Sequence, residues 1–208
     1  MLNAIRPAFT LLILFSALTG LAYPLAITGI SQLLLPGAAN GSLVLRDNKA
    51  VGSALIGQNF ASDKYFHSRP SATQIQDPAH PDDSSKTIDA PYNAANSTGS
   101  NLGPTSQKLL DRVKADVDAK HAAGWTGPIP ADAVTTSASG LDPHISPAAA
   151  RAQAPRVAKA RGMPEASVRD LVEASVENRW IGLLGEPRVN VLTLNLALDG
   201  ASVGLTQK

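Results

Sequence analysis

Two glycines with the spacing of a phosphate-binding loop are the first candidates for chemistry. Gly52 and Gly57 stand five residues apart, as in the GxxxxG part of a P-loop. That loop needs a lysine next to reach the phosphates, and then a serine or threonine for magnesium. Gln58 and Asn59 occupy those two positions, so the pattern favours a strand with two packing glycines.

Metal and nucleophile chemistry has little local support. The four histidines are scattered, without the close spacing of structural zinc ligands: His67, His80, His121 and His144. A second group could hold a hard cation through oxygen ligands, but lacks the calcium-loop pattern and is better explained as solvated loop charge: Asp77, Asp82 and Asp83. No strand–turn–helix nucleophile motif occurs in the sequence. We therefore expect no catalytic residue and no metal site.

His67 and Arg69 alternate just before a proline. In an extended segment, residues two apart point to the same side. Both side chains could therefore contact an anion or a partner protein, although a plain surface loop gives the same pattern.

An uncharged segment near the N-terminus indicates where these residues are held. No charged side chain occurs between Pro7 and Leu45, and apolar residues are densest from Phe9 to Leu35. About 20 apolar residues match the thickness of a bilayer, so we predict a transmembrane helix and flank over residues 7–35. A cleaved signal peptide is the alternative, with residues 37–39 as a cleavage site, but its apolar core would be shorter, about 7–15 residues.

Small residues and a proline repeat every four positions within this span. Ser16, Gly20 and Pro24 would let a partner helix approach closely, and Pro24 would bend the helix. Chance is the alternative, because spans rich in alanine often show such pairs.

The charged flanks predict the orientation. Arg6 precedes the span, whereas the first charges after it come late and are mixed. The positive-inside rule then places residues 1–6 in the cytoplasm and residues 36–208 in the periplasm, as a single-pass protein of the cell inner membrane.

Composition limits the function classes. Lys and Arg number 18 against 17 Asp and Glu, and without Arg6 the exported part is formally neutral. A protein that binds nucleic acid would show a basic face, so we expect this chain to bind no nucleic acid. The chain has no cysteine, so no disulfide stabilises the domain.

The remaining pattern predicts an α+β domain in which helices cover one face of a small sheet. Ser146 and Pro147 predict the start of a helix that Gly162 ends. Residues 188–198 alternate between leucine and other residues, which is typical of a half-buried strand. Residues 70–104 are poor in apolar side chains and predict a long loop, which in a domain is usually functional or disordered.

Several segments taken together resemble KdpC, the C subunit of the bacterial potassium-transporting Kdp ATPase. The N-terminal span opens with Arg6-Pro7-Ala8. The others are residues 52–58, 65–72, 92–104, 137–146 and 189–195. The resemblance covers nearly the whole chain.

The resemblance implies an accessory, non-catalytic subunit of a high-affinity, ATP-driven potassium uptake pump. The implied partners are a potassium-channel-like subunit and a P-type ATPase subunit, which handle potassium and ATP, so the chain needs no cofactor of its own. The family's C subunit is described as an assembly factor and as a catalytic chaperone that raises the ATP affinity of the hydrolysing subunit.

The nucleotide role in the family is tied to a glycine-rich segment and a following glutamine, which correspond here to Ser139, Gly140 and Gln153. An ordinary helix position is the alternative for Gln153. The expected partner contacts of the domain are His67, Arg69, Asn96, Ser97 and Asp142. An independent, membrane-anchored periplasmic binding module is the second function class that the sequence leaves open.

Overall fold

The structure is a computed structural model that describes the backbone of residues 4–206 and the side chains of residues 4–200. The chain forms two compact units, Met1–Ser53 and Ala54–Lys208. The first unit includes the hairpin that follows the helix.

The first unit consists of a long apolar helix and a two-stranded hairpin. Ile5–Leu34 is a continuous helical segment of 30 residues, which is long and apolar enough to cross a membrane. Its parts are α1 (Ile5–Ala17), a π-helical turn (Leu18–Ala22) and α2 (Tyr23–Leu34). A short helix and two strands follow: α3 (Pro36–Ala39), β1 (Leu43–Arg46) and β2 (Lys49–Ser53).

The π-helical turn lies directly before Pro24. Proline has no N–H, so the carbonyl four residues earlier loses its usual partner. The helix widens here, and the Tyr23 N–H bonds to the Leu18 carbonyl, five residues back. A single wide turn of this kind is frequent at functional positions.

The second unit is a mixed helix and sheet domain, as predicted. Two small antiparallel sheets are present, β3–β4 and a three-stranded one in the order β5–β7–β6. The strands are β3 (Gln74–Gln76), β4 (Thr87–Asp89), β5 (His144–Ile145), β6 (Val176–Glu177) and β7 (Arg188–Asn190). The helices are α4 (Gln107–Ala122), α5 (Pro147–Arg161), α6 (Glu165–Ala174) and α7 (Val191–Thr206).

The core lies between α5, α6, α7 and the three-stranded sheet. Alanine and valine dominate it, and Phe66 enters from a loop and is fully buried. Local signals fix the bounds of α5: the Ser146 hydroxyl accepts from the Ala149 N–H at 3.0 Å, and Gly162 takes the left-handed conformation after the last turn. The helix continues through Pro155.

The prediction of a strand over residues 188–198 was wrong beyond Asn190, where the helix α7 begins. The Asn190 side-chain oxygen accepts from the N–H groups of Leu192 and Thr193, which caps a helix. Burial then follows a helical period rather than alternation: Val191, Leu194, Asn195 and Leu198 are buried. Leucine and alanine also favour helix over strand, so the cap decided between two patterns that the sequence allows.

The long loop predicted over residues 70–104 also needs correction. It contains the β3–β4 hairpin, and Thr73 within it is almost fully buried. The Thr73 hydroxyl donates to the Ala90 carbonyl at 2.6 Å, so the segment is folded on itself through polar contacts where apolar ones are scarce.

Candidate functional site

Two side-chain amides hold one extended segment at the centre of the domain. Asn195 on α7 accepts from the Phe66 N–H at 2.9 Å and donates to the Phe66 carbonyl at 3.0 Å. Gln153 on α5 does the same for the next residue, accepting from the His67 N–H at 2.8 Å and donating to its carbonyl at 3.1 Å. Each amide satisfies a backbone donor and acceptor that no strand pairs. We call these two contacts the amide clamp.

Arg156 reinforces the clamp from the same helix as Gln153. Its guanidinium donates to the Gln153 side-chain oxygen at 2.9 Å and to the Tyr65 carbonyl at 3.0 Å. The half-buried His67 ring lies near this charge. Burial first, and then the charge of Arg156, lower the pKa of His67 below its usual value, so the ring stays neutral at physiological pH.

The clamp positions Arg69, two residues further along. The Arg69 guanidinium pairs with Asp142 at 3.2 Å and donates to the carbonyls of Thr135 and Thr136. Burial alone would raise the pKa of Asp142, but hydrogen bonds from His144 and the charge of Arg69 outweigh it and hold the pKa below its usual value. Arg69 and Asp142 therefore form a charged bridge between two loops.

Tyr92 and Gly57 close the packing around this bridge. The Tyr92 hydroxyl donates to the Arg69 carbonyl at 2.8 Å, and burial raises the pKa of Tyr92 to about 12. A Cβ on Gly57 would lie 2.5 Å from the Tyr92 ring and 2.8 Å from the Asp142 carbonyl oxygen. Gly57 is thus a packing glycine, but it lies outside the predicted strand, because β2 ends at Ser53.

A glycine contact joins residues 97–100 to residues 137–140. Gly140 has a φ of +67°, and a Cβ there would lie 2.7 Å from the Thr98 carbonyl oxygen. A Cβ on Gly99 would lie 2.6 Å from the Ala138 carbonyl oxygen. The Ser97 hydroxyl donates to the Ser139 carbonyl at 3.0 Å. We call this contact the glycine junction.

The structure therefore brings most of the expected site residues into one network but leaves Gln153 apart from Ser139 and Gly140. Ser139 and Gly140 contact residues 71–73 and 97–98, whereas Gln153 bonds to His67 and Arg156. Among the described residues, no hydrogen bond links the two groups. Asn96 is exposed and donates to the Gln74 carbonyl at 3.0 Å.

Metal chemistry finds no support in the described part of the chain. No group of three His, Cys, Asp or Glu side chains there is arranged to hold a metal ion. The acidic residues at positions 77 and 83 bond to neighbouring groups of their own loop.

Sequence reasoning missed two features. Asn195 follows a leucine in a run that resembled a strand, so its long-range contact with Phe66 had no local signal. The second feature is an exposed hairpin tip of large apolar side chains between β6 and β7, which we call the apolar tip: Trp180, Ile181, Leu183 and Leu184. The run of apolar residues around Gly182 could have indicated it.

The chain combines a helix that is long and apolar enough to cross a membrane with a small mixed helix and sheet domain. The family model "KdpC: K+-transporting ATPase, c chain" matches residues 5–200, so it includes both the helix and the domain. The chain belongs to the KdpC family and is a component of a potassium-transporting ATPase.

Relatives support the same assignment over their whole length. A "Potassium-transporting ATPase KdpC subunit" of Bradyrhizobium diazoefficiens is 63% identical over 202 residues, which cover 97% of this chain and 99% of the relative. Subunits of the same description from Methylobacterium nodulans and from Rhodopseudomonas palustris strain BisB18 are each 61% identical, over 96% and 97% of this chain. Membership favours the pump-subunit class over an independent binding module.

Proposed function

We propose that this chain is an accessory, non-catalytic subunit that stabilises a potassium pump by contact. Its partners are a potassium-channel-like subunit and a P-type ATPase subunit, which handle potassium and ATP. Its helix lies in the inner membrane with the N-terminus in the cytoplasm and the domain in the periplasm. The observation that carries the proposal is the apolar tip, because large apolar side chains left in water need a partner surface.

The side chains of the apolar tip are exposed, although its backbone is hydrogen-bonded within the hairpin. Trp180, Ile181, Leu183 and Leu184 are 57–78% exposed, and the Trp180 N–H donates to the Leu184 carbonyl at 2.9 Å. The charges at its base are paired within the hairpin, Arg179 with Glu186 at 2.6 Å. The tip therefore offers an uncharged surface, which suits an apolar patch on a partner subunit. A tryptophan in such a patch is typical of the residues that dominate interface energy.

Replacing Leu183 with serine is expected to weaken the complex while leaving the chain folded. Leu183 is 78% exposed, so the substitution removes little packing within the chain. At an interface centre, a loss of at least about 1.4 kcal/mol corresponds to about tenfold weaker binding. The measurement is recovery of the partner subunits with the tagged chain after detergent extraction. Leu110→Ser is the matched control, since Leu110 is exposed on α4. Equal recovery for both variants would contradict the role of the tip.

The small-residue stripe of the helix is proposed as a second contact. Ser16, Gly20 and Pro24 lie around the π-helical turn, and a Cβ on Gly20 would meet nothing within 4 Å. This open position lets a partner helix come close to the backbone, where van der Waals packing supplies the association energy.

Gly20→Leu is expected to reduce complex recovery by blocking that approach, at a cost of about 1–2 kcal/mol of packing. Ala22→Leu adds a similar bulk two residues on, roughly the far side of the helix, and serves as control. Recovery after detergent extraction is again the readout. A larger loss for Ala22→Leu than for Gly20→Leu would place the contact on the other face.

The proposed orientation keeps the domain away from ATP, which is cytoplasmic. Gln153 is 4% exposed and bonds to both backbone groups of His67 and to Arg156. Contact with a nucleotide would break the amide clamp. We therefore propose that Ser139, Gly140 and Gln153 act by shaping the domain, and that any rise in the ATP affinity of the hydrolysing subunit is transmitted through the subunit contacts.

The orientation has a direct test. Protease added outside spheroplasts should digest the domain of the intact chain and leave the helix. Protection there, with digestion in inside-out vesicles, would place the domain in the cytoplasm and restore nucleotide contact as a possibility.

A further inference from the structure

Arg112 differs from every other arginine in the described side chains of the second unit. Seven of these eight arginines are paired with a carboxylate: Arg69, Arg151, Arg156, Arg161, Arg169, Arg179 and Arg188. Arg112 has no such pair among the described residues, and its Nε is buried without a hydrogen-bond partner. The rule that buried polar groups are satisfied makes this exception informative.

Lys108 adds a second cation beside Arg112. The two residues are four apart on α4, so they lie on the same face of the helix, one turn apart. Within the described part of the chain, Lys108 also has no carboxylate within ion-pair distance. Both cations line one cavity.

The cavity that they share is lined by both polar and apolar residues and is open to an incoming group. It has a volume of about 410 Å³ and lies between α4, the β3–β4 hairpin and the glycine junction. Its polar lining includes the hydroxyls of Ser71, Ser100 and Thr136. The Ser100 oxygen accepts from Thr136 at 3.2 Å, which leaves the Ser100 hydroxyl hydrogen to donate.

Asp89 is the one acidic group in the lining, and it does not neutralise the cations. Its carboxylate accepts from the Gln74 side-chain amide at 3.1 Å. With Lys108 and Arg112, the lining keeps a net positive charge. Guanidinium groups match the two oxygens of a carboxylate or phosphate in a bidentate geometry, and a lysine adds a point charge.

We propose that the cavity between Lys108 and Arg112 binds an oxyanion, a carboxylate or a phosphate. The terminal guanidinium nitrogens of Arg112 donate to the oxyanion, and Lys108 and the Ser100 hydroxyl complete the site. The oxyanion is either a small free anion or an acidic side chain of a neighbouring subunit. The site is separate from Gln153 and from the apolar tip, and its occupancy does not depend on the function proposed above.

The first test uses the purified full-length chain in detergent. The midpoint of thermal unfolding is measured with increasing inorganic phosphate or succinate, with chloride balancing the ionic strength. A ligand that binds only the folded state raises the midpoint as its concentration rises. The rise should occur in the wild-type chain and in the control Arg169→Gln, and should vanish in Arg112→Gln. Equal rises in all three chains would overturn the site.

The unliganded variant gives a second, independent result. In chloride alone, Arg112→Gln should unfold at the same temperature as the wild type or at a higher one, because it removes a cation that has no partner. A clear fall would show that Arg112 is bonded within the chain, for example to Asp89, and would overturn the proposal.

The second arm distinguishes the two sources of the oxyanion. In the assembled pump, Arg112→Glu should lower recovery of the other subunits if one of them supplies the carboxylate, whereas Arg169→Glu should not. A midpoint shift without an assembly defect assigns the site to a free anion, and an assembly defect without a midpoint shift assigns it to a subunit carboxylate. If neither variant of Arg112 changes either measurement, the cavity binds no oxyanion.

Discussion

Replacing Gly140 with alanine is expected to destabilise the domain by about 2–5 kcal/mol. The left-handed backbone conformation costs a side chain about 1–2 kcal/mol. The new Cβ would lie 2.7 Å from the Thr98 carbonyl oxygen and 2.5 Å from a Thr73 methyl carbon, and overpacking of this kind adds about 1–3 kcal/mol. Because the clash involves backbone, the glycine junction has to open for the variant to fold.

Two other glycines separate these contributions. Gly162 has nearly the same φ, +65°, but nothing within 4 Å of an added Cβ, so Gly162→Ala measures the conformational cost alone. Gly103 has ordinary φ and open space, so Gly103→Ala should be close to neutral. The measurement is the free energy of unfolding of the full-length chain, followed through Trp125, which is buried. If Gly140→Ala costs no more than Gly162→Ala, the junction is not tightly packed.

Asn195→Ala is expected to have an effect of similar size for a different reason. The substitution removes both hydrogen bonds that satisfy the backbone of Phe66, whose side chain is fully buried. Each buried donor or acceptor left unsatisfied costs about 1–3 kcal/mol, so we expect about 2–6 kcal/mol in total. Arg69 should then lose its fixed position, since it lies two residues after the clamped segment.

Asn96→Ala is the matched control for this substitution. Asn96 also donates to a backbone carbonyl, but at the surface, where water replaces the bond. A double-mutant cycle with Gln153→Ala adds a sharper test, because the two amides hold adjacent residues of one segment. Their effects should therefore be non-additive. Strictly additive effects would show that the two halves of the amide clamp act independently.

Local signals explain what the sequence could predict of the fold. Ser146, Pro147 and Gly162 fix the ends of α5 through contacts within a few residues, and the apolar span needs only length and composition. The strand prediction for residues 188–198 failed because leucines at alternate positions fit a strand as well as a helix. The cap at Asn190 decided the outcome, and that cap depends on where β7 ends.

The site was predictable as a set of segments but not as contacts. Residues 65–72, 92–104 and 137–146 do meet, yet the residues that join them act over long separations. Asn195 reaches Phe66 across 129 positions, and Gln153 reaches His67 across 86. Nothing in the local sequence indicates that an amide on a helix will satisfy an unpaired backbone segment. Whether Ser139, Gly140 and Gln153 affect nucleotide binding stays a prediction.

We propose that this KdpC-family chain acts through contact and does not touch ATP. The most direct measurement is photolabelling of the assembled pump with a photoreactive ATP analogue, followed by peptide mapping of each subunit. The pump is labelled in detergent, so that the analogue can reach both the cytoplasmic and the periplasmic side. We expect label in the hydrolysing subunit and none in residues 54–200 of this chain. The opposite result would be labelled peptides from residues 137–156 that disappear in Gln153→Ala but remain in the control Asn195→Ala. That result would contradict the proposal and show that the domain binds nucleotide.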